Sequence, residues 1–177
     1  EVKYDGDVYY VDSINGNDNN SGLSQDKAFM SVEKVNSLSL KPGDAVLFKK
    51  GCIWTDTILN PKGSGNAQHP ITISSYGQGD KPIIKSMYDD DTDILPEVDA
   101  AVLLKNASYV TIDGLKVING TPGTGTQYGI RLLLNGNYVS SGVKIVNNTI
   151  QGSNLKNWST MSKSGLNGIT AASDSYN

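Results

Sequence analysis

Several residue types are scarce in this chain of 177 residues. Cys52 is the only cysteine, so no disulfide can form within the chain. Arg131 is the only arginine, and the net charge is −3. Because there is no basic stripe to displace counterions, nucleic acid is not expected as a partner.

Long apolar runs are also absent. No stretch approaches the roughly 18 apolar residues of a membrane-spanning helix. The chain begins at Glu1 without a methionine and without a charged-then-apolar leader. We expect such a start in a mature exported protein, or at an experimental boundary.

Small and polar turn-forming residues are abundant, with 19 glycines among them. They separate short apolar runs, which predicts many short strands joined by turns. One segment has a different period. Phe29, Val32 and Val35 recur at three-residue steps, which predicts an amphipathic helix from Asp26, its N-cap, to Leu38. This helix is predicted to cover the open N-terminal end of the domain.

Internal repetition indicates the architecture. Val110 and Val143 are 33 residues apart in similar segments, and a second series consists of 101–104, 129–132 and 168–171. Two series that advance by similar steps are typical of successive coils of a solenoid. We therefore predict an all-β fold, a right-handed parallel β-helix with a short N-terminal capping helix. The cap is expected at about residues 1–50 and the coils at about 51–177.

The N-terminal segment also carries a family resemblance. The matching segments are YYVD (9–12), NGND (15–18), PGDAV (42–46), PITI (70–73), YG (76–77) and KPII (81–84). They are similar to segments of the pectate-lyase-like right-handed parallel β-helix superfamily, above all of cellulosome-associated glycoside hydrolases and polysaccharide lyases. The resemblance implies a secreted bacterial protein that acts on plant cell-wall polysaccharide, with its active site mostly outside this segment. These motifs are architectural, so they do not specify an activity.

An acidic cluster is the candidate metal site. Hard oxygen ligands close together in sequence suit Ca²⁺, which makes these residues a possible calcium site. The alternative is a solvated acidic loop between two coils. The Asp12–Asp18 loop is a weaker candidate, because its Asn and Asp side chains are expected to bond the backbone in tight turns. The cluster consists of Asp89, Asp90, Asp91 and Asp93.

Polysaccharide chemistry would need residues that the pattern does not bring together. A glycosidase needs two carboxylates, but Asp113 is the only acid at a well-predicted strand end, and Val146 stands one coil later. The resembled lyases need calcium and a Lys or Arg base. Outward alternation is the simpler interpretation of the strand cations, which are Lys105, Lys116, Arg131 and Lys144.

Exposed aromatic side chains are candidates for contact with sugar rings. Trp158 stands in the long insertion 153–164, where it could stack on a sugar ring or have no such role. Cys52 and Trp54 are predicted to pack in the interior, and His69 is predicted to have a structural role in a turn.

The C-terminal residue, Asn177, suggests a further hypothesis. An Asn side-chain amide can attack its own carbonyl and break the following peptide bond. The resemblance includes self-processing, calcium-dependent β-helix proteins, so cleavage after Asn177 could leave the remaining coils as a separate chain. An experimental boundary or a proteolytic nick is the alternative. Three functions therefore stay open at this point: a polysaccharide-active enzyme, a self-cleaving protein and a non-catalytic carbohydrate-binding protein.

Overall fold

The computed structural model describes residues 3–86, 100–119, 127–152 and 166–174. No helix within these ranges is long and apolar enough to cross a bilayer. In chain order the elements are β1 (Val8–Val11), a 3-10 helix (Gln25–Lys27), α1 (Val32–Asn36), β2 (Ala45–Lys49), β3 (Ile53–Thr55), β4 (Ile71–Tyr76), β5 (Ile83–Ser86), β6 (Ala100–Lys105), β7 (Val110–Asp113), β8 (Lys116–Asn119), β9 (Gln127–Asn135), β10 (Lys144–Val146), β11 (Thr149–Gly152) and β12 (Leu166–Asp174).

The described strands form three parallel sheets. The first sheet has the order β1-β2-β4-β7-β10, the second has β3-β5-β8-β11, and the third has β6-β9-β12. From β4 onward the chain visits the first, second and third sheets in turn, and it does so three times. We call these passages repeat 1 (β4–β6), repeat 2 (β7–β9) and repeat 3 (β10–β12).

The strand register agrees with the spacing of the sequence repeats. Ile112 pairs with Ile145 in the first sheet, and Val117 pairs with Ile150 in the second. In the third sheet Ile130 pairs with both Val102 and Ile169. Like side chains therefore lie above one another from repeat to repeat, as the two sequence series predicted.

The core lies between the three sheets and receives alternate residues from each. Such stacking buries a continuous apolar column, which is the main stabilising term of the fold. Each of the following side chains is fully buried in that cluster: Ile73 and Ile112 of the first sheet, Ile84 and Val117 of the second, and Val102 and Ile130 of the third.

The predicted helix from Asp26 to Leu38 is wrong in its extent. The structure has only the 3-10 helix and the five-residue α1, whose N-cap is Ser31 rather than Asp26. Phe29 forms a parallel bridge with Val11, and its N–H donates to the Tyr10 carbonyl. A residue that pairs with a strand cannot also be helical, so pairing overrides the apolar periodicity.

The short helix α1 nevertheless packs on the core through its predicted apolar face. Val32 and Val35 are fully buried. The Asn36 side chain holds the backbone around residue 59, because its amide donates to the Ile58 carbonyl and its oxygen accepts from the Asn60 N–H. Leu59 itself forms one isolated parallel bridge, with Val102.

Trp54 joins the segment before α1 to the second sheet. Its indole N–H donates to the Met30 carbonyl at 2.8 Å, and its ring meets Phe48 edge-on at 5.0 Å between centroids. Cys52 is also buried. The predicted packing role of Cys52 and Trp54 is therefore confirmed.

Candidate functional site

The predicted site residues lie outside the described part of the chain. The predicted calcium site, sugar contact and cleavage therefore stay predictions. Within the described ranges, no group of three or more His, Cys, Asp or Glu side chains could hold a metal ion. The predicted site residues that lie outside the described ranges are Asp89, Asp90, Asp91, Asp93, Trp158 and Asn177.

The strand cations lie where the sequence predicts them. Lys105 ends β6 and Lys144 begins β10, and both are exposed. Lys116 in β8 and Arg131 in β9 are half-buried. The lysines thus follow the outward alternation expected of them, whereas Arg131 has surroundings of its own that are described below.

The outer face of the first sheet carries two tyrosines. Tyr10 of β1 lies opposite Leu47, which lies opposite Ser74 of β4. These residues alternate with the buried Val46 and Ile73, so they point away from the core. We call this surface the tyrosine face, because Tyr10 and Tyr76 lie on it.

Tyr10 and Tyr76 are in direct contact on the tyrosine face. Their rings meet edge-on with centroids 5.1 Å apart. Burial raises the pKa of Tyr76 to about 12, and the charges of Asp12, Cys52 and Tyr10 add to the rise. The Tyr76 hydroxyl is buried and has no hydrogen-bond partner within the described structure. Two half-buried rings thus form an aromatic patch on the outer face of the first sheet.

The buried carboxylate of Asp12 lies at one end of the tyrosine face. Asp12 Oδ2 accepts from Lys49 Nζ at 2.6 Å, and Asp12 Oδ1 accepts from the N–H groups of Ile14 and Asn15. Burial alone would raise the pKa of Asp12. The hydrogen bonds from Lys49, from the two backbone N–H groups and from Cys52 outweigh burial and lower this pKa to about 2. Asp12 is therefore an ionised structural group and unsuited to be a general acid.

The neighbouring loop uses its polar side chains in the same structural way. Asp18 Oδ1 accepts from the N–H groups of Met30 and Ser31, and Asn17 Oδ1 accepts from the Asn19 N–H. The expectation that the Asp12–Asp18 loop bonds its own backbone is confirmed. These bonds fix the path of the chain between β1 and α1.

Asp113 is the carboxylate at the other side of the tyrosine face. It lies opposite Val146 in the register, as the sequence predicts, and accepts from the Asn147 amide at 3.0 Å. Across β10 it therefore faces an apolar side chain rather than a second acid. This carboxylate can accept hydrogen bonds from a ligand, but its β10 neighbour does not supply the second carboxyl of a glycosidase pair.

The N-terminal segment is tied to the turn that precedes β2. The Gly6 N–H donates to the Gly43 carbonyl, and the Asp7 N–H donates to Asp44 Oδ1. Burial raises the pKa of Tyr4 in this segment, and the charges of Asp113 and Tyr10 raise it further.

Arg131 forms a second polar feature, on the third sheet. Its guanidinium carbon lies 4.7 Å from the centre of the Tyr128 ring. In the register Arg131 lies between Leu103 and Thr170. Its Nε is buried and has no hydrogen-bond acceptor in the part of the chain that the structure describes.

Sequence reasoning did not single out the tyrosine face. The signal was present, because Tyr10 and Asp12 belong to the YYVD segment, and Tyr76 belongs to the YG segment, of the family resemblance. Strand alternation from the buried Val11 would have placed Tyr10 outside. Only the register could show that Tyr76, 66 positions later in the chain, shares its face.

Comparison with known proteins gives one sequence relative. No protein-family profile matches the chain. A lacto-N-biosidase from Bifidobacterium longum subsp. longum is 37% identical over an alignment that covers 64% of this chain. The alignment spans only 8% of the length of that enzyme.

Two solved structures resemble the chain over most of its length. A GH136 lacto-N-biosidase from Eubacterium ramulus matches 93% of the chain with a TM-score of 0.61 and 21% identity, over 40% of its own length. A rhamnogalacturonan lyase matches 94% of the chain with a TM-score of 0.56 and 19% identity, over 51% of its own length. At these identities the likeness shows the fold alone. The chain is thus similar in fold to both a hydrolase and a lyase, and spans about half or less of each.

Proposed function

We propose that this chain supplies the cap and first coils of a right-handed parallel β-helix in a secreted glycoside hydrolase of the lacto-N-biosidase kind. The observation that carries the proposal is the 37% sequence identity to the Bifidobacterium longum enzyme. The cyclic visits to three parallel sheets and the stacked register support the β-helix. The homology supports a carbohydrate-active protein in general.

We prefer hydrolysis to lyase chemistry because the similarity to the lacto-N-biosidase and the similarity to the lyase rest on different evidence. The lacto-N-biosidase likeness includes a sequence relationship, whereas the rhamnogalacturonan lyase likeness rests on a structure with 19% identity. We therefore propose a lacto-N-bioside as substrate in place of the plant cell-wall polysaccharide that the family resemblance implied.

The hydrolytic carboxylates are proposed to lie outside the described residues. Asp12 is buried and paired with Lys49, and Asp113 faces Val146 across β10. A glycosidase needs one carboxylic acid that can protonate the leaving group and a second carboxylate beside it. The role proposed for the described part is binding, through the tyrosine face, where half-buried rings lie beside hydroxyl and carboxylate groups.

The test uses the protein at its natural length. It is incubated with a chromogenic lacto-N-bioside, and in parallel with rhamnogalacturonan, xylan and pectin, and the products are separated by chromatography. Release of lacto-N-biose is the expected result. An unsaturated uronide from rhamnogalacturonan or pectin, or complete lack of turnover on all four substrates, would contradict the proposal.

The tyrosine face is tested separately by two variants at one position. Tyr10→Ala removes the ring, and we expect an increase in KM of about 3- to 10-fold, equivalent to about 0.5–1.5 kcal/mol of ring contact. Tyr10→Phe keeps the ring and should retain most of the affinity. Equal KM values for wild type and Tyr10→Ala, with folding intact, would exclude this face from substrate binding.

A further inference from the structure

Arg131 stands out among the charged side chains of the described strands because its Nε is buried and has no hydrogen-bond acceptor among the described residues. The ion pairs within the described ranges are Lys49–Asp12 and His69–Asp5. Arg131 is half-buried, and its Nε is fully buried with no acceptor among the described groups. It is also the only arginine in the chain.

The described surroundings of Arg131 are apolar. Leu103, its register neighbour on β6, is 5% exposed, and Leu133, two positions along β9, is 4% exposed. A guanidinium beside apolar side chains loses hydration, and no acceptor among the described residues compensates the Arg131 Nε for that loss. A leucine or a methionine would pack against the same neighbours without this cost, so the charge itself is the feature to explain.

The Tyr128 ring orients the guanidinium. The separation of 4.7 Å between the Arg131 Cζ and the ring centre lies within the range of cation–π contacts. Such a contact holds the planar group in one orientation without neutralising its charge. The guanidinium is thus positioned in advance and still able to pair with an anion.

We propose that Arg131, supported by Tyr128, is a subsite that binds the carboxylate of an acidic sugar residue. A planar guanidinium matches a carboxylate geometrically, and a charge-assisted hydrogen bond is stronger than a neutral one. The proposal deepens the proposed function, on which it rests, because it adds an acidic unit to the glycans that the protein binds. It assigns no part in bond cleavage to Arg131.

The experiment measures binding by titration calorimetry on the protein at its natural length. The ligands are a uronate-containing oligosaccharide, the same oligosaccharide with its carboxylates reduced to alcohols, and inorganic sulfate. Wild-type protein is expected to bind the acidic oligosaccharide more tightly than the reduced one. Arg131→Met should weaken acidic binding by roughly tenfold or more and leave binding of the reduced sugar unchanged.

Two further variants serve as comparisons. Arg131→Lys keeps the charge but loses the planar fork, so an intermediate affinity is expected. Lys144→Met removes an exposed cation from the first sheet and should bind like wild type. Thermal unfolding of each variant identifies any loss of fold, and the preference of wild type for the acidic ligand tests the proposal even if Arg131→Met does not fold.

The possible failures are distinguishable. Equal binding of the acidic and reduced oligosaccharides by wild type would overturn the subsite while leaving sugar binding intact. If sulfate displaces the acidic oligosaccharide at a comparable concentration, the site binds small anions in general. That result would overturn the proposal that Arg131 recognises an acidic sugar. Lack of binding to both sugars would overturn the proposed function as well.

Discussion

The Asp12 carboxylate accepts a 2.6 Å hydrogen bond from Lys49, which lies 37 residues later in the chain. The pair joins the end of β1 to the end of β2, and Asp12 also accepts N–H groups of the loop that follows β1. One buried carboxylate thus organises both the start of the first sheet and the chain leading to α1. Its ionisation is coupled to folding for this reason.

Acid should destabilise the protein through Asp12. Its folded-state pKa is lowered from 3.8 to about 2, so its contribution to stability is complete above about pH 4. That contribution is lost as pH falls through the folded-state value near 2, because the carboxylate is then protonated in both states. The difference corresponds to about 2 kcal/mol. Chemical denaturation of wild type between pH 2 and about 5 measures it.

The matched variants for this prediction are Asp12→Asn and Asp80→Asn. Asp12→Asn should lose about 2 kcal/mol at neutral pH and should flatten the acid dependence of stability. Asp80 is an exposed aspartate, and its substitution should change neither the stability at neutral pH nor the acid dependence of stability. A full acid dependence in Asp12→Asn would show that another group is responsible.

Asn148 should be a strong point of attachment between repeats 2 and 3. Its side-chain oxygen accepts from the Leu115 N–H at 2.9 Å, and its amide donates to the Ile112 carbonyl at 2.8 Å. Asn148→Ala leaves both backbone groups without their partner and should cost about 1–3 kcal/mol in unfolding free energy. Asn137→Ala, at an exposed position, is the control and should be nearly neutral. Equal stabilities of the two variants would disprove the attachment.

Substitution by alanine should destabilise the protein more at Gly142 than at Gly136, although the two glycines have similar backbone angles. Gly136 and Gly142 have φ of 61° and 65°, so alanine at either position costs about 1 kcal/mol in backbone strain. A Cβ at Gly142 would lie 2.3 Å from Cδ1 of Tyr109, whereas a Cβ at Gly136 would meet nothing within 4 Å. Gly142→Ala should therefore lose a further ~1–3 kcal/mol. Urea denaturation of both variants measures the difference, and equal losses would mean that the Tyr109 ring moves freely.

Ile112 should be among the most sensitive core positions. It is fully buried on β7, between β4 and β10 of the first sheet, with Ile73 and Ile145 as its register neighbours. Ile112→Ala removes three methyl or methylene carbons from a packed column and should cost about 3 kcal/mol. Thr111→Ala, on the opposite face of the same strand, should cost much less. A similar loss for both, measured by thermal unfolding, would contradict the assignment of the inner face.

The repeating part of the fold was predictable because its signal is local and recurs. Ile112 and Ile145, 33 residues apart, pair in the first sheet, and Ile130 and Ile169, 39 residues apart, pair in the third. Each repeat must place apolar side chains on the same inner line, so spacing in the sequence corresponds to register in the sheets. The placement of Asp113 opposite Val146 followed from the same rule.

The cap was predicted less well because its signals compete. The apolar period from Phe29 to Val35 favours a longer helix, and nothing in the sequence near Phe29 reveals the partner strand. Val11 supplies that partner and keeps Phe29 extended. The tyrosine face was also not predictable from nearby sequence. Tyr10 and Tyr76 meet because β2 lies between their two strands in the sheet, and nothing in the sequence near either tyrosine reveals that order.

The sequence by itself determined the strand-rich composition, the two repeat series and the inner and outer faces of most strands. These depend on the alternation of side chains along one strand and on a constant chain length per repeat. Only the tertiary structure decided where α1 begins and which of the described charges pair. The Asp12–Lys49 pair, and the buried Arg131 Nε that has no acceptor among the described residues, depend on groups brought together from distant segments, and burial determines their energies. Neither distance along the chain nor residue type encodes that burial.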